Sequence, residues 1–301
     1  MEHRPRLSHR AGRKEPRGES ALPRPSPARR AIIGHMRGPP PAAGYPEPAL
    51  HESISEIIRR HSSNRVDVRL AALEGIDFNR AHRLLDLGCG FGFMARALAE
   101  KAPAGATIIG VDSDPGNRPA FLATASAGGC RGSFLCHTLG THLDFPARTF
   151  DLVAASYSLY FFPAIVPEVA RVLQPGGTFV AITHSERGFS SLLRSLGVPP
   201  EHSALRSMIG GFSAENGLAS LERHFSRVEQ RPYPNTLTFQ AADMRDFLTL
   251  VRFKAPQLAP AAAGPAAPAD IEQRARDLLQ YSGSILIEKD DAAFVCTGPR
   301  P

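Results

Sequence analysis

Residues 84–94, Leu-Leu-Asp-Leu-Gly-Cys-Gly-Phe-Gly-Phe-Met, restrict what this chain can fold into more than any other stretch. A short apolar run leads into glycines at 88, 90 and 92, and Ala95, Leu98 and Ala99 then repeat at helical spacing. Side chains at the three glycines would hold a ligand away from the backbone. Without them the chain turns sharply and can present amide N–H groups at the start of a helix. Strand, glycine loop and helix N-terminus together describe a nucleotide-type site in a doubly wound α/β sheet. A second apolar run, Thr107–Val111, ends in Asp112, 20 residues after Gly92. That is about the spacing of an acid that hydrogen-bonds ribose hydroxyls.

The following residues keep the alternation. Strands are expected at 83–87, 107–111, 132–136, 150–155 and 178–183, with helices at 93–101, 117–126 and 164–173 between them. This order implies a mostly parallel sheet with helices on both faces. Ligands of such sheets sit beyond the carboxyl ends of the strands, where the glycine loop, Asp112, Ser156–Tyr160 and His184 all fall.

The dinucleotide fingerprint is Gly-x-Gly-x-x-Gly, whereas this chain has Gly-x-Gly-x-Gly with Asp86 two residues ahead of it. That version resembles motif I of the class I S-adenosylmethionine-dependent methyltransferases. Leu143–Pro146 with Thr149–Val153 resembles that family's fourth-strand motif. Ala155–Phe162 is similar to its substrate-facing stretch, and Ala170–Val180 to its helix end, turn and fifth strand. The resemblance covers roughly residues 84–184 and implies a seven-stranded Rossmann-like methyltransferase fold. By position it implies that Gly88, Cys89, Gly90 and Gly92 lie against the methionine part of S-adenosylmethionine and that Asp86 anchors its amino end. Asp112 would take the ribose, with Ser113 near the adenine and Ser156 at the site edge. The family often has an acid that accepts from the adenine amino group, but this chain has Leu139 at that place. Backbone groups around Thr138–Gly140 would hold the adenine instead, or the cofactor binds more weakly.

Methyl transfer from a sulfonium asks the protein to align a nucleophile and exclude water. A base is needed only where the acceptor must lose a proton. His184, ending the fifth strand, is the base candidate, and Tyr157 and Tyr160 are candidates to orient the acceptor. No metal is required, and no His/Cys/carboxylate pattern with metal spacing is visible. The four cysteines, Cys89, Cys130, Cys136 and Cys296, form no Cys-x-x-Cys and fit reduced thiols of a cytoplasmic protein.

Residues 1–45 hold ten Lys/Arg against three Glu, while the rest, with 25 basic and 26 acidic residues, is almost neutral. The basic excess is therefore confined to an Arg/Pro-rich tail that is expected to be disordered and dispensable. Residues 46–301 are expected to form one methyltransferase domain: leading helices over 46–80, which the resemblance places over the cofactor, a cofactor-binding core over 81–184, and a substrate-side region over 185–301. That region is expected to contain helices at 189–196, 214–224 and 241–250 and strands at 226–232 and 237–239. A Pro/Ala linker follows at 255–268, then a helix opened by a capping box of Asp270 and Gln273. A closing hairpin of 284–288 with 292–296 turns at Asp290-Asp291. No apolar run approaches the roughly 18 residues of a membrane span. The expected activity is methylation of a small molecule at oxygen, nitrogen or carbon, with nucleic acid not expected as a partner and the oligomeric state open. The alternatives are an RNA methyltransferase guided by the tail and a non-catalytic protein that keeps the fold.

Overall fold

The computed structural model describes residues 48–261 and 267–300. The basic tail expected over 1–45 lies outside them. Two leading helices, α1 (Pro48–His61) and α2 (Val68–Ala72), precede β1 (Arg83–Leu87), α3 (Phe93–Lys101), β2 (Thr107–Asp112), α4 (Arg118–Ala125) and β3 (Arg131–Cys136). Next come β4 (Phe150–Ser156), α5 (Val166–Val172) and β5 (Leu173–His184), then short helices α6 (Ser190–Ser195), α7 (Ala204–Ile209) and α8 (Gly217–Leu221). The chain continues through β6 (Phe225–Tyr233), β7 (Thr236–Gln240), α9 (Met244–Leu258), α10 (Ala267–Ser282), β8 (Ser284–Glu288) and β9 (Asp291–Pro299).

Seven strands form one sheet in the order β3-β2-β1-β4-β5-β9-β6. The first five are parallel, and β9 runs antiparallel between β5 and β6. Both faces are covered, so the strands are near-continuous apolar runs. Alternate residues serve two cores. Leu85, Leu87, Val153, Ala155, Phe179 and Ala181 pack on one face with α1, α5, α9 and α10. Leu84, Ile108, Leu152, Ala154, Val180 and Ile182 pack on the other with α2, α3 and α4. Among the described residues no helix is long and apolar enough to cross a membrane.

Expectations beyond residue 185 needed correction. Residues 284–288 and 292–296 do not form a hairpin: β8 pairs with β7 in a separate two-stranded sheet, while β9 enters the main sheet. β8 alternates exposed and buried residues, as suits a two-stranded ribbon, whereas β9 is buried on both faces over its first six residues, as suits an interior strand. The linker expected over 255–268 is partly helical. The α9 helix runs through Pro256 to Leu258, because Ala255 and Leu258 are fully buried and hold the last turn by packing. Residues 267–268 already belong to α10, and 262–266 lie outside the described residues. Asp270 therefore sits inside the first turn of α10, where it pairs with Arg274 at 2.5 Å, instead of capping the helix. A reciprocal capping box does exist, at Gln240 and Asp243 ahead of α9. Of the helix expected over 214–224, only Gly217–Leu221 is α-helical.

Candidate active site

Parallel register brings the ends of β1, β2, β4 and β5 to one edge of the sheet, and the glycine loop leaves β1 there. Gly88 has φ 65° and sits so close to β4 that a Cβ would come within 2.5 Å of Ser158 Cβ. Gly90, at φ 49°, faces open space, since a Cβ there would meet nothing within 4 Å. That is the room a ligand lying on the backbone needs. The loop is tied to the next strand: the Gly88 N–H donates to the Val111 carbonyl at 2.8 Å and the Gly90 N–H to Asp112 Oδ2 at 2.9 Å. Asp112 Oδ1 accepts from the Asp114 N–H and from Asn117 Nδ2. Asp112 thus both braces the loop and stays partly exposed at the strand end. The Cys89 thiol is buried, and burial followed by the Asp86 and Asp112 charges pushes its pKa up, so it serves as packing rather than as a nucleophile.

Asp86 is fully buried, and neither carboxylate oxygen makes a hydrogen bond of normal geometry; the Ala95 N–H is the nearest help. Burial raises its pKa to about 7 against the pull of the Arg69 guanidinium. Arg69, on α2, lies over the rings of Phe93 (5.3 Å) and Tyr157 (5.7 Å), and its buried Nε has no hydrogen-bond partner. Unpaired buried polar groups are costly and mark places where a ligand completes the bonding. A carboxylate and a guanidinium so exposed to each other's field match the ammonium and carboxylate of an amino-acid zwitterion. Above the loop, His51 of α1 sits 5.1 Å from the ring of Phe91 and 4.9 Å from that of Phe253. The leading helix therefore covers the loop.

Beyond Ser158, whose Oγ donates to the Leu87 carbonyl at 2.6 Å, lies a buried polar cluster. Its centre is Asp291, the first residue of β9. The antiparallel register sets it opposite His184, and its Oδ1 lies 2.7 Å from His184 Nδ1. Its Oδ2 accepts from the Tyr157 hydroxyl at 2.7 Å and from Lys289 Nζ at 2.5 Å. Burial works against the Asp291 charge, but Lys289 and His184 outweigh it and hold the carboxyl well below its usual range. Burial lowers His184 to about 4 despite Asp291, so at neutral pH the ring is uncharged. Its Nδ1–H then donates to Asp291 and Nε2 keeps a lone pair. Burial and the neighbouring Asp291 raise the Tyr157 pKa, keeping the phenol protonated. Tyr157 holds φ 55°, an uncommon conformation for a non-glycine residue, and its ring lies 4.6 Å from that of His184. Tyr160 is 6.2 Å from the same imidazole.

The structure therefore gathers Asp86, Gly88, Cys89, Gly90, Gly92 and Asp112 around one loop, and joins Tyr157, Tyr160 and His184 beyond the ends of β4 and β5. Ser156 ends β4 with its Oγ buried and without a hydrogen-bond partner. Ser113 and Thr138 are exposed beyond β2 and β3, and Leu139 is half-buried, packed against the core. Sequence reasoning missed Arg69, Lys254, Lys289 and Asp291. Asp290-Asp291 reads locally as a turn, and nothing in the sequence pairs it with residues more than 100 positions upstream. A cleft of about 820 Å³ is lined by Arg194, Arg206, Glu215, Tyr233, Asp290 and Asp291 among others. None of the glycine-loop residues lines it.

Residues 84–177 match the family model described as "Methyltransferase domain". The chain is 38% identical over 98 residues to aklanonic acid methyltransferase DauC of Streptomyces sp. (strain C5), covering 32% of this chain and 44% of that protein. It is 39% identical over 100 residues to Nocamycin O-methyltransferase of Saccharothrix syringae, covering 31% and 35%. It thus spans less than half the length of either relative. Among solved structures, the YcgJ protein of Bacillus subtilis aligns over 82% of this chain and 98% of its own, at 19% identity and TM-score 0.43.

Proposed function

We propose that this chain, a class I methyltransferase by its domain over residues 84–177, transfers a methyl group from S-adenosylmethionine to an oxygen of a small-molecule acceptor. The observation that carries the reading is the neutral His184, pinned through Nδ1 by the buried Asp291 at the same sheet edge as the glycine loop, with β4 between them. S-adenosylmethionine, when bound, supplies an electrophilic methyl on its sulfonium. The residues present fit that group: the bare backbone at Gly90 offers the cradle, Asp86 the partner for an ammonium, Arg69 the partner for a carboxylate, and Asp112 the acceptor for ribose hydroxyls.

The chain's own part is positional and electrostatic. His184 Nε2 accepts the proton of the attacking hydroxyl. Asp291 keeps the ring in the tautomer that allows this and stabilises the imidazolium that forms, as in other His–carboxylate dyads. Tyr157 and Lys289 hold the Asp291 carboxylate in place, so neither need touch the acceptor. The covering helix α1 and the rings of Tyr157 and Tyr160 exclude water. An alcohol, phenol or enol acceptor needs such a base, which is why oxygen is favoured over an amine that already has its lone pair. The names of the two relatives, an acid methyltransferase and an O-methyltransferase, support a small acceptor and oxygen.

The test compares the full chain with His184→Gln, measuring S-adenosylhomocysteine binding and methyl transfer to hydroxylated acceptors. The expected result is cofactor affinity within about twofold and turnover lowered by roughly 10²–10⁴, the usual range for losing a positioned base. Unchanged turnover would remove His184 from the chemistry. Absence of cofactor binding by the folded wild type would overturn the activity itself.

A further inference from the structure

Asp112 comes to the end of β2 with most of its bonding already committed. A carboxylate has room for about four hydrogen bonds, two at each oxygen. Oδ1 accepts from the Asp114 N–H at 2.9 Å and from Asn117 Nδ2 at 3.1 Å, so both of its places are filled. Among the described residues Oδ2 accepts the Gly90 N–H alone, at 2.9 Å. One place is left, and it lies on the oxygen that braces the glycine loop.

The two bonds at Oδ1 are held by a tight turn. Asp114 Oδ1 accepts from the Gly116 N–H at 2.8 Å, and the Asp114 carbonyl accepts from the Asn117 N–H at 3.2 Å. These bonds close Pro115–Asn117 ahead of α4 and carry the Asn117 amide back to Asp112. Asn117 is only 2% exposed, so bulk water does not compete for its bond. The amide fits in one sense. Turned over, its oxygen would face Asp112 Oδ1, two acceptors with no proton between them. In the sense that fits, Asn117 Oδ1 is buried without a hydrogen-bond partner, a cost that the bond from Nδ2 to a charged oxygen offsets.

A ribose offers two neighbouring hydroxyls, at 2′ and 3′, and a carboxylate with both oxygens open would meet them with one oxygen each. We infer that Asp112 holds only one of the two, through Oδ2, and that Asn117 is the positioning residue that makes the grip one-sided by filling Oδ1. The inference rests on the cofactor reading above and adds which atom of Asp112 does the holding. Asn117 does not touch the ribose. It acts through Asp112, fixing the carboxylate's rotation so that the loop-side oxygen alone serves the ligand. The second hydroxyl finds no acceptor on this side chain.

The experiment measures, by calorimetry on the full chain, the affinity of S-adenosylhomocysteine and of its 2′-deoxy and 3′-deoxy forms. Removing the hydroxyl that Asp112 holds forfeits a bond to a charged group and is expected to weaken binding by about tenfold or more, while removing the other changes it by less than about threefold. In Asp112→Ala the two deoxy forms are expected to bind alike. In Asn117→Ala, which frees Oδ1, loss of the formerly indifferent hydroxyl is expected to cost about fivefold or more. Each readout is a ratio within one protein, so a general weakening of the loop drops out. Equal losses for both deoxy forms in the wild type, no loss for either, an imbalance that survives Asp112→Ala, or an unchanged pattern in Asn117→Ala would overturn the inference. The wild-type comparison stands whether or not the variants fold. S-adenosylhomocysteine itself is titrated first. If the folded chain does not bind it, the cofactor reading is at fault; if it binds and the deoxy forms are equivalent, only the one-sided grip is lost.

Discussion

Replacing Asp86 by asparagine should make the ligand-free protein more stable and the cofactor complex weaker. The magnitude follows from burial. The carboxyl is raised from 3.8 to about 7, roughly three units, and each unit corresponds to about 1.36 kcal/mol. The ionised form therefore costs the native state about 4 kcal/mol. The sign follows from proton linkage: between pH 3.8 and 7 the unfolded chain has lost the proton while the native chain keeps it, so stability falls as pH rises through that window and is level above it. Asparagine removes the charge but still buries an amide with poor partners, a cost of about 1–3 kcal/mol. The expected net gain at pH 8 is about 1–3 kcal/mol, read as a shift in urea midpoint at constant slope, and it turns into a loss of about 1–3 kcal/mol near pH 4, where the ionisation cost is gone and the amide cost stays. Loss of a charge-assisted bond to the cofactor's ammonium is worth about 1.5–3 kcal/mol, or roughly 10–150-fold in affinity by calorimetry. In the wild type, affinity should climb with pH up to about 7 as Asp86 ionises, and binding at pH 6 should release a proton. If Asp86→Asn neither stabilises at pH 8 nor weakens S-adenosylmethionine, the carboxylate is not a strained ligand group.

Two further outcomes follow from packing. Gly88→Ala should destabilise by about 1–3 kcal/mol in chemical denaturation, since its Cβ would meet Ser158 at 2.5 Å and its φ is positive. Pairing it with Ser158→Gly should recover only the steric part, and full recovery would show that backbone strain contributes nothing. A thiol reagent should label Cys136 alone in the native protein and all four cysteines after denaturation, because Cys89, Cys130 and Cys296 are buried; rapid native labelling of Cys89 would contradict its role as loop packing.

What could be read from the sequence was whatever is encoded locally. The glycine loop, the strand that ends in Asp112 and the strand that ends in His184 are each contiguous signals of apolar run, turn residue and polar terminus. Parallel topology then fixes their common edge. The half of the site built from distant chain was hidden. Asp291 looks like a turn residue until β9 is placed antiparallel to β5, and Lys254 falls between the helix expected over 241–250 and the Pro/Ala linker expected over 255–268. There burial of Ala255 and Leu258 overrides the local preference that Pro256 expresses. Arg69 is invisible for a related reason: α2 is only five residues long, and only its docking beside α3 brings the guanidinium to Phe93 and Tyr157.

The late position of β9 also bears on assembly during synthesis. By the time residue 250 has left the ribosome, five parallel strands, the glycine loop and His184 are all present, yet the slot between β5 and β6 is empty and Tyr157 and His184 have no carboxylate to gather round. Closing that slot means joining segments 107 and 134 residues apart, the kind of long-range pairing that folds slowly. The nascent chain therefore acquires its glycine loop well before the His184–Asp291 pair can form. A chain ended upstream of Asp291 would contain the glycine loop but lack the carboxylate that orients His184.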